Sequence, residues 1–282
     1  FLSFLVITFA GWLLYCVLTL PDIDQAVART RQPSTTITAE NGNEVKTFGS
    51  VYSEVIRLNE LPSYVPDAII STEDRRFYAH FGFDIVAFTR AMLTNIFMGR
   101  YAQGGSTITQ QVAKNMLLSS ELSYTRKIKE AILATRIENA FSKDHILELY
   151  LNEIYLGNRS YGVAAAALNY FGKSLNELNI EEIAYLAALP KGPNNYHPKR
   201  KYEAAVGRRN WVLDRMSEEG YISEEEAAAA KEKPLTTVER SGGFLKNAEY
   251  FSEEVRREIN DDFGEEALYE LSLIHISEPT RH

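Results

Sequence analysis

The chain has 282 residues, and 45% of them are hydrophobic, which is enough for one substantial core or two small ones. Its formal net charge of −8 argues against nucleic acid as a partner, because duplex binding depends on basic surface that neutralises phosphates. The single cysteine, Cys16, excludes an internal disulfide, and the sequence contains no zinc-type Cys/His spacing and no P-loop or dinucleotide motif.

The first 20 residues carry no charge, and as a helix they would span roughly 30 Å, the thickness of a bilayer core. They therefore predict a transmembrane helix. A cleaved signal peptide is the alternative, but the following Thr19-Leu-Pro-Asp22 has no small-residue cleavage site, which favours a retained single-pass anchor. Since the sequence has neither an initiator Met nor a basic N-terminal flank, we expect a fragment, and its orientation cannot be taken from flanking charges.

The remainder predicts a small β element followed by a mainly α domain. Residues 21–50 should hold a polar connector and a hairpin around Glu40-Asn-Gly-Asn43. Residues 51–233 should form the helical domain, with Pro66 in a first turn, Asp84 as an N-cap and Gly99 as a helix end. Residues 234–270 are predicted to be a linker with a helix at 247–262, and residues 271–282 a non-native tail. The predicted helices of the domain are 66–72, 84–97, 107–118, 123–141, 143–156, 162–171, 180–189, 202–219 and 223–231.

Glu73 is the first candidate for chemistry. It follows the apolar Ala68-Ile-Ile70 and precedes Phe77, so its carboxylate should be partly desolvated, which raises its pKa toward a value useful for proton abstraction. A capping or surface glutamate beside Asp74 is an equally open alternative. His80, in the same run, is predicted to be a structural histidine rather than a base.

A second candidate is the polar run Gly104-Gly-Ser-Thr-Ile-Thr-Gln-Gln111. Such a loop can bring backbone N–H groups and side-chain donors against sugar hydroxyls or phosphate. An N-cap at Ser106 or Thr107 is the plainer interpretation, although two glutamines followed by Lys114 exceed what a cap needs. Ser106 is not predicted to be a nucleophile, because the sequence supplies no activating base beside it.

A third cluster opens the predicted helix 123–141. Arg126 and Lys127 precede Glu130 by four and three residues, so both cations share its helix face. A solvated surface ion pair is the alternative. Glu130 nevertheless aligns with the apolar Ala134 and Ile137, so its carboxylate should face inward. The cluster suits either a leaving pyrophosphate held by the cations or a divalent cation at Glu130.

In chain order these runs resemble the glycosyltransferase domain of class A penicillin-binding proteins, the peptidoglycan polymerases. The resemblance covers roughly residues 51–198, and its matching stretches are 73–82, 105–111, 126–130, 143–152 and 167–173. In the fourth stretch most residues predict packing, and Asn152 is a candidate orienting group. No Ser-x-x-Lys or Lys-Thr-Gly motif occurs, so we expect an N-terminal fragment without the transpeptidase domain.

The resemblance implies a mainly α, lysozyme-like fold in two lobes, with a membrane-associated jaw beside the cleft. It implies polymerisation of lipid II into β-1,4 glycan, with inversion at the anomeric carbon and release of undecaprenyl pyrophosphate. It places this reaction on the outer, periplasmic face of the bacterial cytoplasmic membrane, with the growing glycan and cell-wall synthesis proteins as partners. It does not establish that a cofactor is required, and Mg²⁺ or Mn²⁺ at Glu130 is left open.

By the same resemblance Glu73 is the general base and Glu130 the second catalytic carboxylate. The predicted substrate-binding residues are Asp74, Phe77, His80, Gly105, Ser106, Thr107, Gln110, Gln111, Lys114, Arg126, Lys127 and Asn152. Two other functions stay open: a muramidase or lytic transglycosylase, which cleaves glycan with one key Glu, and a membrane-anchored scaffold with an inactive site. The presence of both Glu73 and Glu130 argues against the scaffold.

Overall fold

The computed structural model describes residues 2–21, 23, 35–38, 44–48, 51–52, 55–99, 104–116 and 124–238. The predicted hairpin turn at 40–43, the predicted helix at 247–262 and the tail at 271–282 lie outside these residues, as does the predicted linker beyond residue 238.

Among the described residues of the N-terminal part are an apolar helix and a pair of strands. Helix α1 spans Leu2–Leu18, and strands β1 (Thr35–Thr38) and β2 (Glu44–Phe48) pair antiparallel with Thr35 opposite Phe48. Across the described residues no helix combines the length and the apolar character needed to cross a membrane. The transmembrane helix predicted over residues 1–20 is therefore not confirmed, because α1 has only 17 residues.

The rest of the described chain is mainly helical, as predicted, and most helix ends fall within two or three residues of their predicted positions. Short strands β3 (Val51–Tyr52) and β4 (Ser160–Tyr161) pair in parallel beside the helices. The helices are α2 (Tyr64–Glu73), α3 (Ile85–Met98), α4 (Ile108–Met116), α5 (Tyr124–Ala140), α6 (Lys143–Glu153), α7 (Val163–Phe171), α8 (Ile180–Ala188), α9 (Tyr202–Glu218) and α10 (Glu224–Glu232).

Helix α3 shows why the ends could be predicted. The Asp84 carboxylate accepts hydrogen bonds from the backbone N–H groups of Val86 and Ala87 at 2.9 and 3.0 Å, which satisfies donors that the helix itself leaves open. At the other end Gly99 adopts φ +61°, a conformation that glycine reaches without a Cβ penalty. Both signals are local, so the sequence alone carries them.

Two groups of packed helices share one hydrophobic core. Helices α2, α8 and α9 pack on one another, and α4 packs on α5 and α6. Fully buried Ile69 of α2, Leu133 of α5 and Tyr185 of α8 belong to the same apolar cluster. Helix α2 ends at Glu73, so the core carries this carboxylate to the boundary between the two groups.

Candidate active site

Glu73 is the last residue of α2 and is partly buried. Its Oε2 accepts a hydrogen bond of 2.8 Å from Nε2 of Gln111, a residue of α4. Two of the predicted site residues, separated by 38 positions, are thus in direct contact. This contact fixes the carboxylate at the edge of the polar loop and helix that the sequence singled out.

The environment of Glu73 sets its protonation. Burial raises the pKa of Glu73, the hydrogen bond from Gln111 and the charge of Arg208 lower it, Asp74 raises it, and Lys191 lowers it. Burial is the largest of these effects, so the net result is a pKa above the ordinary value for a carboxyl group. A carboxylate with a raised pKa is a better proton acceptor, which suits a general base.

Asp74 and His80 form a buried pair behind Glu73. The side chains of both are 4% exposed, and His80 Nε2 lies 2.9 and 3.0 Å from the two Asp74 oxygens. Asp74 Oδ2 also accepts a hydrogen bond of 3.0 Å from the backbone N–H of Ile108, the first residue of α4. The pair therefore holds the start of α4, and His80 has the structural environment that the sequence favoured over a basic role.

Thr107 and Gln110 also support the start of α4. Thr107 is 2% exposed, and its hydroxyl donates to the Gly82 carbonyl at 2.7 Å. The Thr107 N–H donates to Gln110 Oε1 at 3.0 Å, while the Gln110 N–H donates to the Thr107 hydroxyl at 3.1 Å, so Thr107 is the N-cap.

Two other predicted residues lie outside this cap. A Cβ on Gly105 would lie 3.1 Å from Phe88 Cα, so the loop passes close to α3. Phe77 is fully buried in the core.

A cavity of about 210 Å³ opens beside this helix start. Every residue that lines it belongs to the predicted set: Ser106, Gln110, Gln111, Lys114, Arg126, Lys127 and Glu130. Because Gln111 both lines the cavity and contacts Glu73, the carboxylate adjoins the cavity. Three cationic side chains among seven lining residues make the cavity suited to an anionic ligand.

Glu130 anchors two of the three cations of the cavity. It is 1% exposed, as its alignment with the apolar face of α5 predicts. Its Oε1 lies 3.1 Å from Arg126 Nε and its Oε2 lies 2.8 Å from Lys127 Nζ. Lys127 Nζ also lies 3.0 Å from Ser106 Oγ, which joins α5 to the loop before α4.

The surroundings of Glu130 do not fit a divalent cation. Both of its oxygens face positive charges, whereas Mg²⁺ and Mn²⁺ need several oxygen ligands that are free to coordinate. Within the part of the chain that the structure describes, no group of three or more His, Cys, Asp or Glu side chains could hold a metal.

Six of the predicted substrate-binding residues do not line the cavity, namely Asp74, Phe77, His80, Gly105, Thr107 and Asn152. Phe77 is fully buried in the core, so it is not placed to bind substrate. Asn152 is bonded instead to the backbone of other residues. Its side chain accepts from the Ile56 N–H at 3.0 Å and donates to the Ile56 carbonyl at 2.9 Å and the Glu148 carbonyl at 2.8 Å. The amide is thus engaged in holding the segment before α2. The segment that Asn152 orients is therefore part of the chain itself, the segment before α2.

Lys191 and Arg208 are charged neighbours of Glu73 that the sequence analysis did not select. Arg208, on α9, stacks on the Trp211 ring at 3.7 Å from guanidinium carbon to ring centroid. Burial lowers the pKa of Lys191, and the charge of Arg208 lowers it further. Lys191 and Arg208 lie 118 and 135 positions after Glu73. The one sequence signal that could have pointed to Arg208 is the pair Arg208-Arg209 before the apolar Val212-Leu213.

Comparison with known proteins gives a consistent family assignment. Residues 41–217 match the family model described as transglycosylase. The chain is 44% identical over 267 residues to penicillin-binding protein 1A of Aquifex aeolicus, which covers 94% of this chain and 36% of that protein. It is 42% identical over 248 residues to penicillin-binding protein 1A of Escherichia coli K12, covering 88% and 29%. The chain thus spans about a third of the length of these curated relatives.

A solved structure is similar as well. The 2.6 Å crystal structure of penicillin-binding protein 1A from Haemophilus influenzae matches with a TM-score of 0.53 and 31% sequence identity. The match covers 84% of this chain and 26% of that one. Fold and sequence therefore point to the same family.

Proposed function

Because the chain belongs to the transglycosylase family, we propose that it is a peptidoglycan glycosyltransferase that polymerises lipid II into β-1,4 glycan. The single observation that carries the proposal is the cationic cavity of about 210 Å³ beside Glu73. A lipid-linked sugar substrate brings a pyrophosphate that needs cations and a hydroxyl that needs a base. Gln111 contacts Glu73 and lines the same cavity as the three cations.

In the proposed reaction Glu73 takes the proton from the 4-hydroxyl of the acceptor sugar. That oxygen bonds to the anomeric carbon of the donor as the bond from this carbon to the pyrophosphate breaks, and the electron pair leaves with the undecaprenyl pyrophosphate. Attack from the face opposite the leaving group inverts the configuration. The proton then passes from Glu73 to solvent.

The cations act on the leaving group. Negative charge on the pyrophosphate grows as the bond breaks, so Lys114, Arg126 and Lys127 would stabilise the transition state more than the bound substrate. Glu130 holds Arg126 and Lys127 toward the cavity at 3.1 and 2.8 Å. A leaving group stabilised in this way does not require protonation by a general acid.

We further propose that the chain works at a membrane surface, on the outer face of the bacterial cytoplasmic membrane. The supporting observation is α3, where Ile96, Phe97 and Met98 are 67%, 85% and 59% exposed. Exposed apolar side chains of this kind fit the acyl boundary of a bilayer, where the lipid substrates reside. The double variant Ile96→Ser/Phe97→Ser should sediment less with anionic liposomes, whereas Val55→Ser, at another exposed apolar residue, should not.

Incubation with lipid II followed by sizing of the products tests the proposed activity. We expect glycan chains longer than the substrate and stoichiometric release of undecaprenyl pyrophosphate. A glycan-cleaving enzyme would instead shorten pre-formed peptidoglycan strands and leave lipid II unchanged. That second result would replace polymerisation by the muramidase alternative.

A further inference from the structure

Tyr150 is a core residue whose hydroxyl contacts Gln111, the residue that donates to the proposed base. It belongs to α6, is 1% exposed, and its ring packs in the hydrophobic cluster. Its hydroxyl nevertheless points at a polar partner, because Oη donates to Gln111 Oε1 at 3.5 Å. The other end of the same amide donates to Glu73 Oε2 at 2.8 Å.

The amide of Gln111 can be placed in two ways, and its neighbours select one. Glu73 as a carboxylate only accepts hydrogen bonds, so it requires the NH₂ end of the amide. The other end must then meet a donor, and the Tyr150 hydroxyl supplies one. Reversing the amide would set its oxygen against the Glu73 carboxylate and its NH₂ against the phenol.

The surroundings keep Tyr150 a donor. Burial raises the pKa of Tyr150 well above its ordinary value, and the negative charges of Glu73 and Asp74 raise it further. The phenol is therefore protonated throughout the pH range in which Glu73 titrates. The contact of 3.5 Å is longer than the usual hydroxyl hydrogen bond, as catalytic contacts often are before substrate binds.

We propose that Tyr150 is a positioning residue, whose hydroxyl fixes the amide of Gln111 so that this amide donates to Glu73. The inference rests on the proposed function of Glu73 as the base. Without the hydroxyl the amide is free to reverse, so that its oxygen accepts a hydrogen bond from the O–H of a neutral Glu73. The neutral form of Glu73 is then stabilised, so as the pH falls the ionised base is lost at a higher pH than in the unmodified chain.

The test is the pH dependence of kcat/KM for lipid II polymerisation in Tyr150→Phe. This change removes one oxygen and keeps the ring that fills the core. Losing a hydrogen bond to a charged group should move the acid limb of the profile up by about one pH unit. At a pH near that limb kcat should fall by about tenfold with little change in KM.

Other charges that face Glu73 are unchanged in this variant, namely Asp74 directly after α2, Arg208 on α9 and Lys191 after α8. The matched control is Tyr170→Phe, which removes a buried phenol that donates to the Leu156 carbonyl at 3.0 Å. It should lower the melting temperature to a similar extent and leave the acid limb in place. A structural role for Tyr150 would make the two variants alike.

A double-mutant cycle isolates the pathway through Gln111. In a Gln111→Met background, which already lacks the donor, Tyr150→Phe should cause no further shift of the acid limb. Equal shifts in both backgrounds, or no shift in Tyr150→Phe, would overturn the proposal. If Tyr150→Phe does not fold, Gln111→Met alone decides, because an unmoved acid limb there removes the amide from the pathway.

The proposed function fails separately. It fails if the unmodified chain and Tyr170→Phe make no polymer at any pH. The positioning role fails if both are active and the Tyr150→Phe profile superimposes on theirs.

Discussion

Replacing Lys127 with alanine should lower turnover strongly and stability only slightly. Lys127 Nζ contacts Glu130 and Ser106 at 2.8 and 3.0 Å, and its side chain is 54% exposed. An ion pair with so exposed a partner contributes about 0–1 kcal/mol to the free energy of unfolding. That corresponds to a fall in Tm of at most about 4 °C for a domain of this size.

The effect on rate is larger, because the proposed leaving group gains charge in the transition state. Losing one hydrogen bond to a charged group costs about 1.5–3 kcal/mol. If that contact is made mainly in the transition state, kcat falls by about 10- to 150-fold while KM changes little. Turnover is measured with labelled lipid II at saturating concentration, and Tm by calorimetry on the same preparations.

A second ion pair on the same chain provides the control. Lys173 lies 2.7 Å from Glu182, with side-chain exposures of 36% and 14%, and it does not line the cavity. Lys173→Ala should change Tm about as much as Lys127→Ala and leave kcat within a factor of about two of the unmodified chain. Near-normal turnover in Lys127→Ala, or an equal loss in both variants, would refute the assignment of Lys127 to the leaving group.

Three further outcomes are expected. Because the pKa of Glu73 is raised in the folded chain, its ionisation opposes folding as pH rises through that pKa. Glu73→Gln should therefore raise Tm at pH 7, and this difference in Tm should vanish below the ordinary carboxyl pKa. An equal difference in Tm at both pH values would contradict this. Asp84→Ala removes the cap of α3 and should cost about 0.5–2 kcal/mol in urea unfolding, whereas an unchanged midpoint would show that the cap contributes nothing. Gly162→Ala would place a Cβ 2.5 Å from the Asn152 carbonyl oxygen in a residue with φ +80°. Its Tm should therefore fall by more than that of Gly207→Ala, a substitution at a helix position with open space around it. A smaller fall in Gly162→Ala would argue against the close approach.

The parts of the molecule that could be predicted are those specified locally. The Asp84 cap, the Gly99 helix end and the inward face of Glu130 each depend on residues within one or two helical turns. The seven cavity residues were found because they lie in two short runs, 106–114 and 126–130, that carry more polar groups than packing requires. Short-range sequence patterns therefore indicated most of the residues that line this cavity.

The parts that could not be predicted depend on contacts between distant positions. Lys191 and Arg208 come close to Glu73 only because α8 and α9 pack on α2. Tyr150 lies in the stretch 143–152, most of which was predicted to pack, but nothing in its own helix indicates that its hydroxyl meets Gln111, 39 positions earlier. The sequence does not indicate which partner forms a hydrogen bond with a polar atom on a buried helix face.

The central claim is that Glu73 is the base of a lipid II polymerase. The most direct measurement is the polymerisation rate of Glu73→Gln on purified lipid II, beside the unmodified chain. The amide keeps the shape of the side chain but cannot accept the proton, so the rate should fall by about 10²- to 10⁴-fold while the variant stays folded. A folded Glu73→Gln that retains more than about a tenth of the unmodified rate would contradict the claim.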